Sequence, residues 1–199
     1  MKKKSIALLI AFALVVGAAI GGTLAWLTAD SGPVFNTFTT SDINITLSET
    51  KGDGTGTNRK FKMVPGYTIA KDPKVTVATG SEKCYVFVKL EKLNNFDSFL
   101  TYTIADDWSQ LKDASNQDIS GVFYRIVDTE DMGTPLSVLK DNQVTVKSTV
   151  TKSDMNNLTT TTYPQLKVTA YASQYMKNST ENFTAAEAWE NVNPSSTTN

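Results

Sequence analysis

The side chains able to carry chemistry are few in kind. The 199-residue chain has no histidine and one cysteine, Cys84. A Ser-His-Asp triad, a Cys-His pair and a His-ligated zinc are therefore impossible, and a single thiol excludes both an intramolecular disulfide and a cysteine-cluster metal site. Carboxylates cluster at Asp106-Asp107 and across Asp128, Glu130 and Asp131. Oxygen-rich loops of this kind suit Ca²⁺, but neither follows the twelve-residue EF-hand spacing, and solvated acidic loops are the simpler reading. Paired carboxylates for glycoside hydrolysis have no supporting pattern. The glycine-rich stretch Gly52 to Gly56 lacks the lysine and the following helix of a phosphate loop. Cys84 is in phase with Val86, Val88 and Leu90, which reads as a small buried hydrophobe rather than a reactive thiol. Trp108 and Trp189 read as core packing rather than ligand platforms. No catalytic, cofactor-binding or metal-ligating residue is assigned, and the chain is read as a non-enzyme without a cofactor.

Composition narrows the class further. The formal charge is -1, from 19 basic and 20 acidic residues, so there is no basic surplus for nucleic acid. An apolar content of 40% argues against intrinsic disorder and for one domain with a real core. Lys2, Lys3 and Lys4 precede an uncharged apolar run from Ser5 to Ile20, then Gly21 and Gly22, then small residues at Thr23, Ala25 and Ala29. This is the pattern of an export signal over residues 1–29, with the cleavage region at Ala25, Trp26 and Ala29. The rival reading is an uncleaved anchor, since Ser5 to Leu27 is long enough to span a bilayer of about 30 Å. Cleavage leaves 16 basic against 20 acidic residues, a charge of -4. Such a chain suits secretion in soluble form, with no membrane association after cleavage.

The remainder reads as strands. Threonine supplies about one residue in seven, and β-branched side chains favour a pleated, half-exposed surface. Period-two alternation marks Ile43 to Ser48, Lys74 to Ala78, Cys84 to Leu90, Val122 to Val127, Val144 to Lys147 and Leu166 to Ala172. Tyr85 and Phe87 give the third of these a second apolar face, which predicts a central strand. Pro65-Gly66 and Gly133 to Pro135 read as turns, Asp106-Asp107 and Asp113 to Gly121 as polar loops, and Ser153 to Leu158 as one helical turn. Thr184 with Glu187 is a capping box that opens a helix to about Val192, and Asn193-Pro194 ends it. The expected fold is all-β: an antiparallel, jelly-roll-like β-sandwich over residues 30–192 with a short C-terminal helix and a disordered tail at 193–199. Four Asn-x-Ser/Thr sequons, at Asn44, Asn157, Asn178 and Asn182, are what abundant Asn and Thr supply by chance.

Several stretches resemble a known family. Gly21-Gly22-Thr23-Leu24-Ala25-Trp26, followed by Asn36-Thr37-Phe38 and Ile43 to Leu47, is similar to the start of the TasA/camelysin (CalY) family. That family joins signal and mature chain with a Gly-Gly-Thr-x-Ala-x-Phe/Leu border, followed by an Asn-Thr-Phe segment and an alternating strand. Met63 to Gly66 resembles its Pro-Gly-Asp turn, with Tyr67 in place of the Asp, and Val77 to Ser81 resembles its Asn-x-Gly-Ser turn, departing at Ala78 and Thr79. Val168 to Ala172 and Phe183 to Trp189 are similar to secreted, SipW-dependent proteins of Firmicutes. The resemblance implies a jelly-roll sandwich, processing by a SipW-type signal peptidase, and an extracellular role at a Gram-positive cell surface or in fibres of a biofilm matrix. Some members carry a metallopeptidase label, but without His-Glu-x-x-His zinc proteolysis here would need an all-carboxylate site.

The arm at residues 30–40 precedes the first alternating strand and carries Val34, Phe35 and Phe38. It is β-prone and extended, and it either adds a strand to a neighbouring copy or folds back as its own edge strand. The first case makes the chain a self-associating structural protein. A monomeric adhesin or carbohydrate-binding module using sandwich-end loops is the alternative.

Overall fold

The computed structural model describes residues 42–54 and 59–193, which fall in a unit beginning at Ser41. The signal region, the arm and residues 194–199 lie outside the described residues. The strands are β1 (Ile45–Ser48), β2 (Thr68–Ala70), β3 (Lys74–Val77), β4 (Cys84–Leu93), β5 (Leu100–Thr101), β6 (Ser109–Lys112), β7 (Asp118–Val127), β8 (Leu136–Ser137), β9 (Gln143–Val146) and β10 (Gln165–Gln174). Three short helices, α1 (Phe96–Phe99), α2 (Lys152–Asn156) and α3 (Ala185–Val192), complete the elements used below. All strand pairs are antiparallel. The expected all-β sandwich with a short C-terminal helix is the architecture observed.

One layer is the four-stranded sheet β10-β4-β7-β6. The predicted central strand is β4, which pairs along its full length with β10 and over Cys84 to Lys89 with β7. The second layer consists of two three-stranded sheets, β1-β3-β8 and β2-β9-β5. They are joined by a kink. β2 and β3 are separated only by Lys71-Asp72-Pro73, and Pro73 has no N–H to give a ladder. Two bonds carry the pairing across the break: Val138 N donates to the Pro73 carbonyl at 3.0 Å, and Lys71 N to the Asn142 carbonyl at 2.8 Å. The chain therefore alternates between layers, as in a jelly roll, with β2–β3 beside β8–β9 in one layer and β4 between β10 and β7 in the other.

Both faces of the four-stranded sheet are used. Cys84, Val86, Val88 and Leu90 point into the space between layers and meet Val75, Val77, Val138, Val144 and Val146, all buried. Tyr85 and Phe87 point the other way, to a second core with Leu111, Val122, Ala188 and Trp189. The capping box predicted for α3 is formed: Thr184 Oγ1 accepts from Glu187 N, and the Glu187 carboxylate accepts from Thr184 N. An equivalent box, Thr151 with Asp154, opens α2 close to where one helical turn was expected.

Two expectations are corrected. The polar loop at Asp113 to Gly121 is shorter, because Asp118 to Gly121 already belong to β7. Its alternation is masked by polar side chains and an irregular register: the β6–β7 ladder shifts between Gln110 and Lys112. Gln110 Nε2 fills the gap, donating to the carbonyls of Ile119 at 2.7 Å and Val122 at 3.0 Å. Leu47, expected on the same strand face as Ile43 and Ile45, is exposed where they are half-buried; among the described residues β1 is an edge strand with one partner, β3.

Candidate functional site

The acidic loops separate into ion pairs. The Asp106 carboxylate accepts from Lys140 Nζ at 3.0 Å, Asp107 faces Arg125 at 3.4 Å, and Asp128 faces Lys83 at 2.7 Å. The pairing carboxylates are exposed, and each is matched by a cation from a different part of the chain. Among the described residues no group of three or more His, Cys, Asp or Glu side chains could hold a metal ion.

The remaining chemical candidates are structural. Cys84 is fully buried, and burial pushes its thiol up to about 11, which leaves almost no thiolate at neutral pH. Trp108 is buried between the layers, and its indole N–H donates to the Ser137 carbonyl at 2.8 Å. Trp189 stands edge-on to Tyr171 at 5.2 Å and lies 5.3 Å from Phe87. In the glycine-rich stretch, Asp53 and Lys60 exchange two backbone bonds of 2.8 Å, and Arg59 donates to the carbonyls of Gly54 and Glu49. The two residues form an isolated antiparallel bridge.

Among the described residues Asp72, at the kink, is the most buried carboxylate. It accepts from Thr50 N, Thr50 Oγ1 and Lys51 N at 3.0, 2.7 and 2.9 Å. Burial pushes its carboxyl up, but the Thr50 hydroxyl, the two backbone donors and the nearby Lys74 charge outweigh this and hold it below the ordinary range. Its place is to tie the segment after β1 to the kink.

The feature that stands apart is a flank. β1 ends one layer and β10 ends the other, and the two lie side by side. Among the described residues neither has a second strand partner. β10 is ten residues long, so it presents a long row of backbone donors and acceptors. The opposite flank ends in β5, two residues, and β6, four residues with a shifted register. Short and irregular edges resist pairing with another chain. The arm residues Val34, Phe35 and Phe38 and the cleavage residues Ala25, Trp26 and Ala29 lie outside the described residues. What the sequence reading missed is the outer edge of β10, whose only signal was the length of its alternating run.

Comparison with family models, with curated proteins and with solved structures gave no match for this chain. Among the described residues no helix is long and apolar enough to cross a membrane.

Proposed function

We propose that this chain is a secreted structural protein of the cell surface or biofilm matrix that assembles into fibres by strand addition, in the manner of the TasA/camelysin family it resembles. The observation that carries the reading is the asymmetry of the two flanks. One holds the ten-residue edge of β10 beside the four-residue β1, neither with a second strand partner among the described residues, and residues 30–41 precede β1 in the sequence. The other is short and irregular. A strand from a neighbouring copy laid along the β1/β10 flank would satisfy its backbone groups, and Val34, Phe35 and Phe38 would set the register. Repetition of such a head-to-tail contact gives a filament rather than a closed dimer. No metal, nucleotide or catalytic group is needed. A SipW-type signal peptidase would act during export.

Electron microscopy of the secreted protein tests this. Filaments that are lost in the Phe38→Asp variant, with the melting temperature kept, support the reading. A monodisperse monomer at every concentration and ionic strength contradicts it.

A further inference from the structure

We infer that opposite charge at the two ends of the β1-β3-β8 sheet steers copies of this chain into a head-to-tail contact, in which a basic loop at the Lys74 end of one copy meets an acidic cluster at the Val77 end of the next. The inference deepens the self-assembly reading above and rests on it for the open, repeating form of the contact. Between Glu49 and Lys74, six cations stand against three carboxylates. Two of these carboxylates are taken up locally: Glu49 pairs with Lys71 at 2.9 Å, and Asp72 accepts its three bonds from Thr50 and Lys51. The third, Asp53, bridges Lys60 through the backbone, which folds residues 51–54 back on residues 59–62. A Cβ on Gly52 would lie 2.7 Å from the Phe61 ring, so the two limbs are in contact. Arg59 Nη2 donates to the Glu49 carbonyl at 2.8 Å and fastens the loop beside Ser48, which pairs with Lys74. Lys51, Lys60 and Lys62 are exposed on this loop, and none forms an ion pair with another described residue.

The other end of the same sheet is acidic. Ile45 pairs with Val77, so the chain enters β1 at that end, with Asp42 just before it. Asn44 N donates to Ser81 Oγ at 3.3 Å, next to Glu82. Gly133 N donates to the Val77 carbonyl at 2.8 Å, which brings in the turn that holds Asp128, Glu130 and Asp131. Lys83 ties Asp128 to the turn after β3 at 2.7 Å. These three segments, 42–45, 78–83 and 128–133, hold five carboxylates and one cation, Lys83. Glu82, Glu130 and Asp131 are exposed, and none forms an ion pair with another described residue.

The two groups carry net charges of +3 and -4, six cations against three carboxylates and one cation against five. Complementarity of sign and size makes a second copy the occupant of the basic loop. Contact of basic loop with basic loop is repelled, and so is contact of the two acidic clusters, so the charges select one polarity. A head-to-tail contact uses one group on each partner and leaves the other free to extend the chain. Exposed ion pairs add little affinity, and their effect is on encounter and orientation. A free polyanion is a poorer fit. It would meet the acidic cluster at the far end of a strand only four residues long, on a chain with 16 basic and 20 acidic residues after signal cleavage.

Light scattering of growth, with sedimentation velocity on the same samples, tests the inference in three double variants. The first is Lys60→Glu with Lys62→Glu, the second Glu130→Lys with Asp131→Lys, and the third, a control with the net charge of the first, Lys112→Glu with Lys152→Glu. All six positions are exposed, so each variant should melt as the parent does. At an ionic strength of about 0.01 M, where the Debye length is about 30 Å, the first two should each grow at least about tenfold more slowly than the parent. An equal mixture of the two should recover the parental rate, and the control should match the parent. At about 1 M salt, where the Debye length is about 3 Å, the parent should slow to the rate of the reversed variants. Parental growth of either reversed variant, a mixture no faster than its components, or equal slowing of the control would each overturn the inference. So would parental association that stops at a dimer, or capture of polyphosphate that the Lys60 and Lys62 reversal abolishes while self-association is unchanged. Failure of strand addition reads differently: filaments that persist in Phe38→Asp end that reading and leave the charge-reversal result standing. If the parent forms no filaments, co-sedimentation of the two reversed variants at low salt supports the contact, and its absence overturns it.

Discussion

Trp189→Ala examines whether α3 is a built part of the sandwich. Trp189 is 5% exposed, packs edge-on against Tyr171 and touches the fully buried Phe87. Removing an indole from such a site costs about 3–5 kcal/mol, from lost transfer energy and from the cavity left behind. For a domain of this size each kcal/mol moves the melting temperature by about 2–4 °C, so a fall of roughly 6–20 °C is expected. Trp189→Phe keeps most of the volume and should lose less than half as much. Thermal melts followed by circular dichroism measure both, and the Tyr171→Ala variant closes a double-mutant cycle whose coupling should be about 0.5–1.5 kcal/mol. The consequence for assembly is specific. Without α3, Phe87 and Leu111 lose their cover, and a second sticky face appears on the molecule. The alanine variant should therefore aggregate amorphously on warming. A melting temperature within about 2 °C of the parent's would mean that α3 is not docked on this face, and the two-core description would fail.

Three further expectations concern the sandwich. Cys84→Ser places a hydroxyl in the inter-layer core and should cost about 1–3 kcal/mol while leaving assembly chemistry intact; denaturant titration beside light scattering checks this, and a stable variant that no longer associates would show a functional thiol. Gly121→Ala should be severe, because residue 121 has φ +71° and an added Cβ would sit 2.4 Å from the Leu90 carbonyl oxygen; a loss above about 2 kcal/mol in chemical denaturation is expected. Glu187 is held at about 2 by Thr184 N–H, Lys177 and the Thr184 hydroxyl. A depressed carboxylate stabilises the fold above its unfolded value near 4.5 and loses that contribution as pH falls towards 2. Part of the acid-induced loss of stability between those values should therefore be missing in Glu187→Gln, and identical pH–stability curves would contradict the capping geometry.

Much of the fold was legible because burial imposes a period. Val75 and Val77, Val144 and Val146, and the two-faced run from Cys84 to Leu90 alternate in the sequence as they do in space. The Thr184–Glu187 box was legible because capping is local chemistry within four residues. The short strands β2, β5 and β8 hold two or three residues each, too few to show alternation. β6 and the start of β7 are polar, and the Gln110 irregularity breaks their pattern. The kink at Pro73 is a property of two paired segments, and it emerges only when β2–β3 meets β8–β9. The candidate flank was hidden for the same reason. Whether an edge is open depends on which strands pair, and neither β1 nor β10 announces its place at a border.

The measurement that bears most directly on the assembly claim is light scattering of the secreted protein lacking residues 30–40, run beside its thermal melt and electron micrographs. The truncated domain should melt close to the parent, stay monomeric and form no fibres, while the parent grows them under the same conditions. A truncated protein that stays folded and forms fibres at the parental rate would contradict strand addition by the arm, and one that melts far below the parent would assign the arm to its own sandwich.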